Sequence, residues 1–309
     1  MIWLTWRQHR VAVLSTAAVF LGLAAWFLLI GSGTRGSLAP AELSYCIGLR
    51  FDCGEWQSSL MWLRDLEQTL LPLLPALIGV FLGAPLLSRE IEQRTFRYTW
   101  TQGITRGHWL KSKVLLLGAA IVLLSTAFSG AYMWLYDPAV PEQGWFDAFN
   151  QALPVFPAMC LSGFALGVAA GALTRKLLVS MALAFGAFLA VFLPIVIWIR
   201  ATYQAPLSIP ADAYAAEGRK GWAVDFSFRD GSGTTYDIWE ASRQAGMDVS
   251  GGFGSKDIEQ LNRAGFTEYV SFQPADRFWT FQLIETGIYL WLTAGCIALA
   301  YWLLRRKAL

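Results

Sequence analysis

The chain has 309 residues, of which 55% are hydrophobic and only 15% charged, and its mean hydropathy is +0.44. A soluble domain carries about a quarter charged residues, so a water-soluble globule is excluded and an integral membrane protein is implied. The net charge of +2 leaves no polyanionic partner such as nucleic acid, and two His with four Cys supply neither a zinc site nor a cysteine framework.

Residues 1–10 (MIWLTWRQHR) are basic and carry Trp3 and Trp6, which share a face at helical spacing. They read either as a cytoplasmic interfacial elbow in the headgroup plane or as the positive flank of the first span. Residues 11–30 are uncharged over about a bilayer thickness. The charged start and the small residues at 39–41 resemble a secretory signal, whose apolar core is roughly 7–15 residues. This run is longer, so a retained first helix is expected.

Further spans follow at 69–87, 114–136, 155–173, 177–199 and 279–304. Pro72, Pro75 and Pro85 are tolerable in the second because neighbouring helices satisfy the freed carbonyls. In the fourth, Gly163, Gly167 and Gly171 recur every four residues, which permits close helix contact. The expected fold is mainly α and integral to the membrane: six transmembrane helices with a small external α+β insertion between the fifth and sixth.

Charge sets the orientation. The segments 1–10, 88–113, 174–176 and 305–309 hold thirteen of the 24 Lys and Arg but only Glu90 and Glu92 of the 22 acids. Lys/Arg excess beside span ends marks the cytoplasm, so both termini are expected inside. Two segments then lie outside. Segment 31–68 contains Cys46 and Cys53, which an oxidising compartment allows to pair. The bridge is preferred over two free thiols, since Cys160 and Cys296 fall within spans, and complete alkylation of both without reductant excludes it. Segment 200–278 alternates Trp222, Val224, Phe226 and Phe228 with Ala223, Asp225, Ser227 and Arg229, the period of a strand. A turn is expected at 230–233, a helix over 257–264 stopped by Gly265, and a second extended piece over 266–272.

The catalytic signals are absent. No G-x-x-x-x-G-K-[ST] occurs, since Gly254-Ser255-Lys256 lacks the spacing, and neither H-E-x-x-H nor G-x-S-x-G is present. No catalytic residue, metal site or cofactor is therefore assigned to this chain. Glu285 is the one ionisable residue inside a span and is by that fact a candidate. With Gln282, and with Arg277 nearby, it offers a polar site in the membrane, as an internal contact, a substrate contact or a group reaching the headgroups.

The remaining feature is the polar segment 88–113, SREIEQRTFRYTWTQGITRGHWLKSK. Glu90 and Arg94 stand at i, i+4 in the favourable order, Phe96 and Trp100 are also four apart, Gly103 can end that helix, and Thr105 can cap a second one running into the third span. Interfacial anchoring and positive-inside bias account for its composition. Neither accounts for its length, when the other internal turn has three residues.

At this loop the sequence resembles the permease subunits of ABC-2 type ABC transporters, particularly an actinobacterial six-span group. The resemblance rests on Glu92, Thr95, Thr105-Arg106, Trp109 and Lys113, with Arg94 where the class often has Gly and Gly103 where it often has Pro. Gln273 to Trp279 and Ile284-Glu285-Thr286-Gly287 are similar to the start of that group's last span, and Thr5 to Arg10 to its N-terminus. The resemblance implies a type V exporter-like fold and a bacterial plasma-membrane exporter of two permease chains, identical or sister, above two separate ATPase chains that bind ATP and Mg. It implies that Glu90, Glu92, Arg94, Thr95, Phe96, Arg97, Trp100, Gln102, Arg106, Trp109 and Lys113 couple the permease to the ATPase. An aromatic-rich, charge-poor membrane domain in contact with lipid suits hydrophobic or amphipathic cargo. A membrane sensor that signals through an associated ATPase without transport is the alternative.

Overall fold

Among the described residues, six helices are long and apolar enough to cross a bilayer: Arg10–Ser37, Gly54–Glu92, Gly107–Ala139, Val155–Thr174, Leu177–Thr202 and Ala275–Arg306, spans one to six. They belong to a computed structural model that describes residues 2–39, 42–43, 46–47, 54–92, 106–216, 220–247 and 254–306. Six crossings put both chain ends on one side of the bundle, the terminus side. The sheet described below lies on the other. The helix that contains span one starts at Ile2 and continues unbroken to Ser37, so no turn separates residues 2–10 from the span. Cys53 lies outside the described residues, and with it the expected pairing. Cys46 is buried, and Cys160 and Cys296 are free and buried.

Span four is the axis of the bundle. It is the most enclosed of the six, and spans two, three, five and six pack on it, while span one lies against span three. An aromatic column of Phe20, Phe128 and Phe156 joins spans one, three and four, with ring centroids 5.6 Å (Phe20–Phe128) and 4.8 Å (Phe128–Phe156) apart. Such pairs add about 0.5–1.5 kcal/mol beyond their buried area.

Spans two and four touch backbone to backbone. A Cβ built on Gly163 would sit 2.0 Å from the Pro75 carbonyl oxygen, one on Gly167 2.1 Å from that of Gly79, and one on Gly171 2.7 Å from that of Ala84. The four-residue glycine spacing therefore does serve close contact, and span two answers with glycines of its own. A Cβ on Gly79 or Gly83 would meet the Gly163 or Phe164 carbonyl oxygen at 2.4 and 2.3 Å. Pro72 and Pro75 stand in first helical turns, where no N–H is needed. Pro85 follows a π-helical stretch, Gly79–Gly83, in which the N–H of Ala84 reaches back to Gly79. A proline in the interior cannot donate to residue i−4 and crowds its carbonyl, and the widened turn beside it absorbs the mismatch. A second π stretch, Ile195–Ile199, follows Pro194 directly.

Between spans three and four the chain does not simply turn in solvent. Phe146, Ala148, Phe149, Gln151 and Ala152 are buried, and Phe146 and Phe149 pack against Phe278 at the start of span six.

On the same side, residues 207–273 build a sheet ordered β1-β4-β2-β3, all antiparallel, from β1 (Leu207–Pro210), β2 (Trp222–Arg229), β3 (Thr235–Tyr236) and β4 (Thr267–Gln273). Ile238–Gln244 and Ser255–Arg263 are helical, and Ala241 and Leu261 from them close a small core with Phe228 and Phe266. The expected turn is present: the Asp230 carboxylate accepts hydrogen bonds from the Ser232 and Thr234 N–H groups and from the Ser232 hydroxyl. The helix expected over 257–264 starts two residues earlier, with Asp257 accepting from the Gly254 N–H. It stops at Gly265, whose φ of 91° suits glycine.

One strand expectation is corrected. Trp222, Val224, Phe226 and Phe228 do not share a face, because a bulge falls between Ala223 and Asp225. An extra residue reverses the side on which everything before it lies. Cross-strand partners share a face, so Phe226 and Phe228 go with Val270 and Glu268, while Trp222 goes with Gln273 on the opposite one. From there Trp222 stacks on Phe146, 6.0 Å away, and Gly144 lies against the Lys220 carbonyl, where a Cβ would come within 2.1 Å. The bulge thus aims the residue that seats the sheet on the bundle.

Candidate functional site

Two polar clusters join the spans, one at each end of the bundle. On the terminus side, span two delivers Glu90 and Glu92, which lie on one helix two residues apart and so diverge. The Glu90 carboxylate accepts a hydrogen bond from the Lys113 ammonium of span three. Lys113 is only 2% exposed, and the face of Trp109 covers its ammonium at 4.5 Å. A buried cation persists only where a charge partner meets it, and here the π face adds to the carboxylate.

Glu92 turns the other way and accepts a hydrogen bond of 3.0 Å from the Leu177 N–H, the first residue of the helix in span five. Lys176, at the cap position, provides no side-chain bond of its own. A carboxylate from a neighbouring helix therefore serves one of the four free N–H groups and the positive end of the dipole. The three-residue turn before it is made tight by Arg175, which holds φ at 58°, a conformation that costs a non-glycine residue about 1–2 kcal/mol.

Of the residues expected to couple to an ATPase, the structure brings together Glu90, Glu92, Trp109 and Lys113, all facing other spans. Arg106 opens the helix of span three. Arg94, Thr95, Phe96, Arg97, Trp100 and Gln102 lie outside the described residues, as do Gly103 and Thr105.

On the opposite side, Glu285 and Gln282 of span six are completely buried. The partner of Glu285 is Arg200, at the end of span five, rather than Arg277. Its Nε and Nη2 donate to the two carboxylate oxygens at 2.5 and 3.1 Å. Nη2 also donates to Asn150 Oδ1 at 2.7 Å, and the guanidinium lies 4.0 Å from the Phe149 ring centroid. Gln282 accepts from the Val155 N–H and donates to the Phe149 carbonyl, at 3.2 and 2.8 Å. Arg277 instead donates to Ala205 O and Gln273 Oε1. A planar fork on a carboxylate is the geometry for which Arg is suited, so Glu285 is committed to an internal contact. Sequence reasoning missed Arg200 because it ends an apolar run, where an arginine reads as a headgroup anchor. The signal that could have found it is the lone carboxylate in span six, which demands a cation.

A further polar contact reaches from this side into the bundle: the Tyr132 hydroxyl donates to Glu67 at 2.6 Å.

Comparison with known proteins gives one family. The model of the family described as ABC-2 membrane transporter related matches residues 17–200, more than half of the chain. The match takes in most of span one, spans two to five and the segment 88–113, and ends at Arg200. A search of curated proteins found no match. With six apolar helices in place, the chain belongs to the ABC-2 membrane transporter related family and is a multi-pass membrane permease component of an ABC transporter, a role that implies association with an ABC ATPase.

Proposed function

We propose that the chain is the membrane-spanning subunit of an ATP-driven exporter, that two permease chains enclose the translocation path, and that residues 88–113 seat on two separate ATPase subunits. ATP and Mg belong to those partners, in keeping with the missing P-loop. The basic segments support a plasma-membrane protein with its termini and this loop in the cytoplasm, and the aromatic, charge-poor bundle suits hydrophobic or amphipathic cargo.

The observation that carries the reading is how the loop is fastened. Glu90 ties its first foot to span three, where its second foot emerges, and Glu92 ties the same foot to the N-terminus of span five. A chain that hydrolyses nothing is driven only by contacts that differ between two states of a partner. A push on this loop reaches three spans at once, and a bias of a few kcal/mol suffices to move a two-state equilibrium.

The test is reconstitution of the chain with the Walker-motif ATPase that copurifies with it, followed by flux of amphipathic dyes in vesicles. ATP-dependent export that disappears when residues 92–106 are scrambled, with the complex still folded in the membrane, is the expected result. Unchanged transport with the scrambled loop refutes it. Ligand-stimulated ATP turnover without flux replaces it with the sensor reading.

A further inference from the structure

We propose that the groove between spans three and six on the terminus side is a binding site for one anionic phospholipid. The two helices both lean on span four and leave between them a cavity of about 1220 Å³. Its mouth carries four basic side chains from two helices: His108 and Lys111 from the first turns of span three, Arg305 and Arg306 from the last turn of span six. None of the residues lining it is acidic. Among the described residues no carboxylate pairs with Lys111, Arg305 or Arg306. The two arginines lie over aromatic rings, Arg305 5.2 Å from Tyr301 and Arg306 4.6 Å from Trp302. Those rings meet the guanidinium groups from one face and leave their N–H edges to meet an anion.

Below the mouth the walls are apolar, with Val114 and Leu115 on one side and Ala294, Ile297 and Ala298 on the other. From Arg305 down to Ala294 is eleven residues, about 16 Å along a helix. That is close to half of the ~30 Å hydrocarbon core, the depth of one leaflet. Charge at one end and a leaflet of apolar wall beneath it is the shape and polarity of a phospholipid with a negative headgroup. A free phosphate would use the mouth and leave the walls unexplained. A second copy of the chain docked face to face would bring two such basic mouths together, and a two-fold contact repeats the same patch on both partners, which like charges oppose. At the mouth, Gly107 and Tyr301 hold the two helices together, so closely that a Cβ on the glycine would fall 2.8 Å from the ring.

The proposal concerns a lipid and is independent of whether the chain exports anything. The test uses the full chain in a mild neutral detergent, with phosphatidylglycerol and phosphatidylcholine of identical acyl chains. Retention is read by native mass spectrometry and stabilisation by thermal unfolding. Phosphatidylglycerol is expected to be retained about tenfold more tightly than phosphatidylcholine. Each of Lys111→Gln and Arg305→Gln is expected to weaken it by roughly fivefold, from ~1 kcal/mol per surface cation. Ala298→Phe, at an exposed wall position, fills the groove with the cations intact and is expected to abolish retention of both lipids. Equal retention of the two lipids, selectivity unaltered in the charge variants, or the same stabilisation by inorganic phosphate alone overturns the proposal. Should a charge variant fail to fold, Ala298→Phe decides alone: undiminished phosphatidylglycerol binding in that protein refutes the site.

Discussion

The two ends of the bundle each bury an ion pair, and the pairs are built differently. On the sheet side, Arg200 and Glu285 form a two-pronged contact, with Asn150 accepting from the guanidinium and the Phe149 ring beside it. On the terminus side, a flexible lysine meets Glu90, whose carboxylate is partly open to its surroundings, with a single indole face beside it. Both pairs cost desolvation. Only the first is held in one geometry by its neighbours. A lysine stem can carry its charge to the headgroups when its partner leaves, whereas the Arg200 guanidinium is held by Glu285, Asn150 and the Phe149 ring together. Permanent fastening of the sheet-side ends of spans five and six, against a contact that can be made and broken beside a loop, is what the contrast teaches.

The contrast can be broken by substitution. The largest expected effect is that of Glu285→Ala, which strands Arg200 in an apolar setting. A loss of about 3–5 kcal/mol is expected, read as a steep fall in thermal unfolding temperature in detergent. Replacing both partners with leucine should recover much of it. A loss from Glu285→Ala no larger than that from an exposed substitution would show that the pair is not enclosed. Next comes Gly167→Ala in the seam of spans two and four. Its Cβ would meet the backbone of Gly79, Ala84 and Gly83, and overpacking of this kind costs about 1–3 kcal/mol. The same change at Gly22, with nothing within 4 Å, is the matched control and should be neutral.

On the other side Glu90→Ala should cost less than Glu285→Ala, about 1–3 kcal/mol, because Lys113 can reach the interface. Its larger effect should be on the ratio of transport to ATP turnover in the reconstituted complex. Equal destabilisation at the two ends would erase the distinction drawn above. Glu92→Ala removes a helix cap, with an expected cost of about 0.5–2 kcal/mol. Glu92→Gln, which keeps an acceptor for the Leu177 N–H, should restore most of it. The smallest effect concerns Asp230, whose carboxyl is held below the usual range, first by the Ser232 hydroxyl and then by backbone N–H groups. A depressed pKa gives stability that is complete above the unfolded-state value and lost as pH falls through the folded one. The sheet should therefore loosen only in acid, and Asp230→Asn should flatten that dependence without altering the behaviour of the bundle at neutral pH.

The six spans were legible because length and apolarity are properties of the residues themselves, and the glycine spacing at 163, 167 and 171 pointed correctly to close contact. What could not be read was pairing. Gly79 and Gly83 carry no pattern until span four is known to lie beside them, and Glu285 does not say that its cation comes from residue 200. The bulge before Asp225 is invisible to alternation, since Val224 continues the pattern while the backbone does not, so the sequence pattern does not reveal the face of Trp222. Residues 137–154 look like an ordinary connection in the sequence. Their buried Phe146 and Phe149 acquire meaning only from Phe278 and Trp222. At the candidate site, the sequence marked Glu90, Glu92, Trp109 and Lys113 as residues of one loop but could not tell that they bind other parts of the bundle.

The seam between spans two and four has a consequence for anything that crosses the bilayer through this protein. Where carbonyl oxygens lie against glycine α-carbons there are no side chains to swing aside, so this pair of helices cannot part to admit a molecule without separating altogether. Under the proposed export role, cargo would pass around the pair, along the far less enclosed faces of spans one, five and six. In that role the two helices sealed by glycine would form a fixed wall, and the other spans would shape the opening.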